Sequence, residues 1–329
     1  MEQVSGLTTQ DLAPPLLYVP NHETLPTKIT GGLPLNCPAR SLPIAILSLW
    51  IVSQQWLYAA PPGPEHRAIA WQTDYGKAMG DADAQKKMLL IFFFDPSDEA
   101  ARRFETEVLG DADVCARLKK NFLCVRLPLD AHIDSEHKEV TLLKHAAFSE
   151  MLGRPGVAIV DLAHADAALH GNVVSEFPLT SSLSYTPQQM RVILDLPPGT
   201  LTQRTMIYAV RIHPEHPAST DGQLEPHLVQ EVQSHSENQA RMRLQGHHWW
   251  ETRFHRINAI LSPGLTAKEV CAESWPGQRL VDAAIECVRC WRCSDGHWSA
   301  VRAAQCCYAY DMKCGDNGVW YATGIFGCR

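Results

Sequence analysis

Six consecutive apolar residues, Leu89 to Phe94, stop at Asp95-Pro96 and lead into the acidic-then-basic stretch DEAARRFETEVL. A run this short with no polar alternation reads as a strand buried on both faces. Such a strand needs covering layers above and below, so the flanking sequence must supply helices. It does. TDYGKAMGDADAQKK has helical character, and the pattern predicts a helix over Pro96 to Leu109 with Ala101, Phe104 and Val108 on one face.

The same alternation continues downstream. Asp111 is placed to cap a short helix through Lys120, and FLCVRLPLD reads as a strand. Glu139 to Met151 is expected to be a helix carrying Val140, Leu143 and Phe148. GVAIVDL and GNVVSEF are two strands close in sequence, and Pro187 opens a last helix, PQQMRVILDL. Helices alternating with strands and then a strand pair argue for a mixed sheet with helices on both faces.

Trp71, Asp74-Tyr75, KKMLLIFF, RRFETEVL, VRLPLD and GRPGVAIVD together resemble the thioredoxin-like superfamily, in particular its exported branch, over about residues 70–196. In that family RRFE follows the second active cysteine, so the two thiol positions fall at Asp98 and Ala101. The proline that faces the thiols in a cis peptide would be Pro155. Neither Asp98 nor Ala101 can supply a thiolate, so the resemblance implies a redox-silent module. A carboxylate in the first turn of a helix is suited instead to capping its free N–H groups. Cys115 and Cys124 occupy apolar positions, where a thiol is inert.

Length, charge and cysteine placement bound the rest. The 329 residues allow about two domains of ordinary size. Net charge is −7 and no long Lys/Arg block occurs, which argues against a nucleic-acid partner. Residues 1–40 are rich in Pro, Thr and Asn and read as a disordered leader. Ser41 to Ala60 follows, with its apolar core at Pro43 to Val52, Arg40 before it, and Ala59-Ala60 ahead of a Pro/Gly break. That arrangement reads as a secretory signal or a single membrane anchor, against the simpler reading of a buried core helix. Export would place the protein in a periplasmic, secreted or membrane-anchored setting that permits disulfides.

After the LPPGTLTQ link the composition changes. RTMIYAVRIHP and EPHLVQEVQSHSENQARMRLQG read as helices, the second with Leu228, Val232, His235, Gln239 and Met242 at helical spacing. LVDAAIECVRCWRCS is a helix, DGHW a turn, and the end is strand-rich, with GDNG as a hairpin signal. AVRIHPEHPASTDGQLEPHLVQEVQSHSENQA, AES, CWRCSDGHW and GVWYATGIFG resemble the CAP superfamily of cysteine-rich secretory and pathogenesis-related proteins, over about residues 205–327.

Members of that superfamily line a cleft with two histidines and one or two glutamates, some with a divalent metal. By position the resemblance implies Glu273 and His297 in such a cleft, with His247 or His248 as the other histidine. The second glutamate falls at Ser294 and is missing. The fold expected is therefore α/β and α+β: a thioredoxin-like sheet over residues 65–197, then a CAP-like α/β/α sandwich over residues 201–329.

Eight of the 11 cysteines lie between Cys271 and Cys328, and Cys37 lies in the leader. Cys290-x-x-Cys293 is half of a zinc-site pattern without its other half. The resulting expectation is an envelope protein, not an enzyme, that binds a peptide, glycan or lipid in the His/Glu cleft without a cofactor. Its rivals are a metal-assisted hydrolase at that cleft and thiol chemistry at Cys290/Cys293.

Overall fold

The buried run begins at Met88: β2 (Met88–Phe94) is the central strand of a five-stranded sheet. Its neighbours are β3 (Phe122–Pro128), parallel to it, and β6 (Gly156–Val160), antiparallel. The edges are β1 (Trp71–Gln72), parallel to β3, and β7 (Val173–Pro178), antiparallel to β6. The sheet order is β1-β3-β2-β6-β7. The computed structural model describes residues 69–135 and 138–329; the leader, the Ser41–Ala60 segment and Cys37 lie outside them.

Alternation along β2 divides its side chains between two cores. Leu89, Ile91 and Phe93 pack with Ala78 and Ala82 of α1 (Tyr75–Gln85) and with Phe148 and Met151. Leu90 and Phe92 face α3 (Ala112–Asn121) and α4 (Pro187–Leu194). Each helix start carries its signal. Asp74 and Asp111 cap α1 and α3 through backbone N–H groups, and Thr186 with Gln189 forms a capping box on α4.

Two expected helices differ. The Pro96–Leu109 segment is α-helical only as α2 (Glu99–Arg103), and Phe104–Leu109 continues as a π-helical turn. Thr106 Oγ1 donates to the Arg102 carbonyl at 2.6 Å, a local bond of the kind that bends helices. Glu139 to Met151 is not a helix. Lys138–Thr141 forms β5, paired with β4 (His132–Ser135) in a two-stranded ribbon, and 3-10 turns follow to Met151. The β-branched pair Val140-Thr141 suits the ribbon, with Val140 opposite Ile133.

The second sheet has the order β8-β10-β11-β9: β8 (Gln223–Leu224), β10 (Cys307–Cys314), β11 (Trp320–Cys328) and β9 (Thr266–Glu273). The long hairpin β10–β11 is antiparallel, and GDNG makes its turn, with Gly315 N–H donating to Val319 O at 2.8 Å. On one sheet face, Ala267, Ala309 and Ile325 pack against α6 (Pro226–Met242) and α7 (Trp250–Ile260). On the other, Val270, Ala272, Tyr310 and Phe326 meet α5 (Leu201–Arg211), α8 (Leu280–Arg292) and α9 (Asp295–Arg302). The DGHW segment opens α9 and is not a free turn, because Ser294 at the cap position and Asp295 in the first turn favour a helix start.

Helix α5 touches both sheets. Its Tyr208 ring lies 4.7 Å from Phe177 of β7, and one cluster of buried side chains continues from there to Tyr310. Arg204, 1% exposed, donates to Ser175 Oγ and to the carbonyls of Leu196 and Pro197, so the LPPGTLTQ link is held down at its base. The protein is thus mixed α/β with helices on both faces of mixed sheets. No helix among the described residues is long and apolar enough to cross a membrane.

Candidate functional site

Helix α6 buries Leu228, Val232, His235, Ser236 and Gln239 along one face, so a histidine and an amide enter the interior with the apolar residues. Buried polar groups must find partners. Gln239 Nε2 donates to Thr323 Oγ1 at 2.9 Å, and its Oε1 accepts from Gly246 N–H at 3.0 Å. His235 Nε2 donates to Gly246 O at 2.9 Å. These bonds pin the loop after α6 to the sheet. Gly246 has φ +154°, and a Cβ there would stand 3.2 Å from the His248 ring, so the loop needs glycine at this point.

The pinned loop delivers His247. Its Nδ1 lies 2.9 Å from Glu269 Oε1, and its Nε2 lies 3.3 Å from His297 Nε2 at the start of α9. His248 turns away: its Nε2 meets Leu244 O at 3.2 Å, and its ring neighbours Trp249. Of the two adjacent histidines, His247 therefore faces His297.

The carboxylate bonded to His247 belongs to Glu269, not to Glu273. Ala267, Glu269, Cys271 and Glu273 fall on one face of β9 by alternation. Glu269 is the desolvated one, with its side chain 1% exposed, while Glu273 is exposed and has no hydrogen bond to either histidine among the described residues. The Glu273 backbone carbonyl faces Cys290 Sγ at 3.9 Å. Glu269 also pairs with Arg253 of α7, whose side chain is 8% exposed. A buried ion pair of this kind adds little net stability when intact, yet breaking it leaves an uncompensated charge.

The electrostatics of the cluster favour neutral rings. Burial first, and then the Arg253 charge, pushes the His235 ring down from 6.5 to about 4. His247 is lowered by burial and Arg253, and His297 by burial and His247. The Glu269 carboxylate is itself paired with Arg253, and its part toward His247 is to orient the ring. It fixes Nδ1 as the protonated nitrogen and leaves the Nε2 lone pair toward His297.

His235, Glu269 and Cys271 each offer a ligand-type atom, all within 4.8 Å of one another. Cys271 Sγ lies 3.8 Å from His247 Nδ1, and burial pushes its thiol up to about 12, so it is a thiol and not a thiolate at neutral pH. None of Arg253, Glu269 and Cys271 was nominated by the sequence motifs. The one available signal was a histidine, His235, on an otherwise core-facing helical stripe.

The remaining sequence-nominated positions lie elsewhere. Asp98 is the N-cap of α2, accepting from Ala101 N–H at 2.9 Å, and Ala101 is fully buried. Pro155 is buried just before β6, and its carbonyl accepts from Leu179 N–H at 2.7 Å. Cys290 and Cys293 sit in the last turn and at the C-cap of α8, and burial and Glu286 raise the Cys290 thiol. No disulfide joins the cysteines among the described residues. No protein-family model matches the chain, and no curated protein matches it either.

Proposed function

We propose that the chain is an exported or membrane-tethered envelope protein that binds a peptide, glycan or lipid at the cleft where His247 meets His297, without catalysis. The observation that carries this reading is the pair itself: two imidazoles 3.3 Å apart, with His247 42% exposed and braced from behind by a buried carboxylate. With His297 Nε2–H donating to His247 Nε2, the pair has a fixed geometry and leaves His297 Nδ1 as its remaining acceptor.

The groups around it support binding over chemistry. Glu269 is committed to Arg253 and His247 and is closed to solvent, so it is not placed to carry protons for a reacting group. Ser294, where a second carboxylate would stand, begins α9 instead. We read the first sheet as a redox-silent thioredoxin-like module. Its order β1-β3-β2-β6-β7 and the capping role of Asp98 support that reading. The second sheet, layered between α6/α7 and α5/α8/α9, supports the CAP-like reading.

One observation favours the hydrolase rival. Two nitrogens about 3.3 Å apart fit two corners of a tetrahedral zinc ion with bonds of about 2.0–2.1 Å. His247 and His297 would hold it, Glu269 would orient His247 from behind, and the ion would supply Lewis acidity. The fit is incomplete. Glu269 and Cys271 approach Nδ1, the far edge of the His247 ring, so neither is placed as a third ligand beside the two Nε2 atoms.

Thiol chemistry at Cys290/Cys293 is disfavoured by their place at the C-terminal end of α8, where the helix dipole opposes a thiolate. The test is ring NMR of the full chain titrated with peptidoglycan fragments, phospholipid micelles and unstructured peptides. Ligand-dependent shifts of His247 and His297, lost in His247→Ala, are expected. Turnover of an ester or peptide that requires added zinc and His297 would establish the rival instead.

A further inference from the structure

On the inner edge of the His247 ring, turned away from His297, four side chains of metal-binding type converge. His235 comes from α6, Glu269 and Cys271 from one face of β9, and His247 from the loop between α6 and α7. Ligand-type atoms of His235, Glu269 and Cys271 lie within 4.8 Å of one another. His235 Nε2 stands 3.9 Å from Glu269 Oε1. His247 Nδ1 completes the set, 2.9 Å from the same oxygen and 3.8 Å from Cys271 Sγ.

Neighbouring ligand atoms on a tetrahedral zinc ion are about 3.3–3.6 Å apart, given bonds of about 2.0–2.3 Å. The three separations fall on both sides of that range, so shifts of about half an ångström would bring the four atoms onto one ion. One thiolate, one carboxylate and two imidazoles are a donor set that suits zinc.

The charges also balance. Zinc displaces the Cys271 thiol proton to solvent, and the thiolate and the Glu269 carboxylate together cancel the charge of the ion. Both imidazoles stay neutral. The His247 proton moves from Nδ1 to Nε2, where it is donated to His297 Nε2, and the His235 proton moves from Nε2 to Nδ1. Gly246 O gives up its bond from His235 in exchange. Arg253 keeps its pairing with Glu269 and holds the carboxylate in place. The tautomers described above are those of the metal-free chain.

Burial fits a structural ion, whose coordination is closed. His235 and Cys271 are each 2% exposed, and the Glu269 side chain is 1% exposed. His247, 42% exposed and carried on a loop, forms the outer wall. The ion enters when that ring swings out, or as the loop closes during folding, and no standing cavity is required.

We propose that His235, His247, Glu269 and Cys271 form a closed zinc site that locks the loop after α6 onto β9. It differs from the position between the two Nε2 atoms considered above, because it uses the opposite nitrogen of His247 and takes no ligand from His297. It does not rest on the ligand-binding reading of the cleft.

The experiment adds zinc or cobalt(II) alone to the folded full chain, and to the chain refolded from urea in their presence. In at least one preparation, one equivalent of zinc is expected to bind and raise the thermal midpoint. Cobalt should give tetrahedral absorption bands together with a thiolate-to-cobalt charge-transfer band. Cys271→Ser, a near-isosteric change, should fold, lose the charge-transfer band and bind zinc roughly tenfold or more weakly. His247→Ala alters only the loop and should weaken zinc binding likewise, whereas His297→Ala should retain both signals. No stoichiometric binding in either preparation would overturn the proposal, as would a charge-transfer band that survives in Cys271→Ser. So would zinc binding that His297→Ala abolishes and Cys271→Ser leaves intact, which would place the ion between the two Nε2 atoms.

Discussion

Glu176 in the first sheet and His235, on a helix packed against the second, are buried titratable groups of opposite kind. In the first, Glu176 of β7 is 1% exposed and lies against the backbone of Glu150 and Met151 without a well-formed hydrogen bond. Burial pushes its carboxyl from 4.5 to about 8. Beside the second, His235 is as deeply buried but has a carbonyl partner, and burial pushes it down to about 4. Both are held neutral at pH 7, by the same desolvation acting on an acid and on a base. The difference lies in what surrounds them. Around Glu176 there is core packing, whereas around His235 there is a connected set of polar groups that ends at two solvent-facing imidazoles. A buried polar group alone marks strain; one tied to its neighbours by hydrogen bonds marks a position that the fold holds in place.

Removing one member of the Arg253–Glu269 pair should have the largest effect. Glu269→Ala is expected to cost about 3–5 kcal/mol of unfolding free energy, because Arg253 would then be buried unpaired. Urea unfolding measures this, and a loss below about 1 kcal/mol would break the claim that the cluster is a desolvated network.

The pH profile sharpens the contrast next. Glu176, with its folded value above the ordinary one, holds more protons in the folded chain. Stability is therefore full near pH 4.5 and is lost as pH rises toward about 8, by roughly 2–4 kcal/mol. Glu176→Gln should abolish that alkaline limb. For His235 the sign reverses: the folded ring resists protonation, so stability is full above about pH 6.5 and is lost as pH falls toward about 4, by roughly 2–3 kcal/mol. A His235→Gln variant whose thermal midpoint keeps the full acid slope would contradict this.

Smaller effects are expected at the start of α2. Asp98→Ala should cost about 1 kcal/mol through the lost cap. The unmodified chain should not exceed the blank in insulin reduction, and reductase activity that Cys115→Ser removes would sink the redox-silent reading.

Much of this framework was legible because it rests on local signals. The Met88–Phe94 strand, the Asp111 and Thr186 caps and the GDNG turn each follow from residues within a few positions of one another. Glu139–Met151 was misread because Val140, Leu143 and Phe148 also fit a helix, and the pairing of Val140 with Ile133 is a contact that periodicity does not contain. His247 and His297, named together through resemblance, lie 3.3 Å apart, but the carboxylate bonded to His247 is Glu269. Glu269 and Glu273 share a strand face, and what distinguishes them is burial under Arg253, contributed by another helix. Desolvation is a tertiary property, so the motifs pointed to Glu273 and passed over Glu269.

The orientation of His247 is the central claim and can be read directly. Long-range proton–nitrogen correlation spectra of the histidine rings at neutral pH should show His247 protonated at Nδ1, with an unprotonated Nε2. That state should collapse into a mixture of tautomers in Glu269→Gln. A His247 ring protonated at Nε2 in the unmodified protein, or one indifferent to Glu269, would contradict the account.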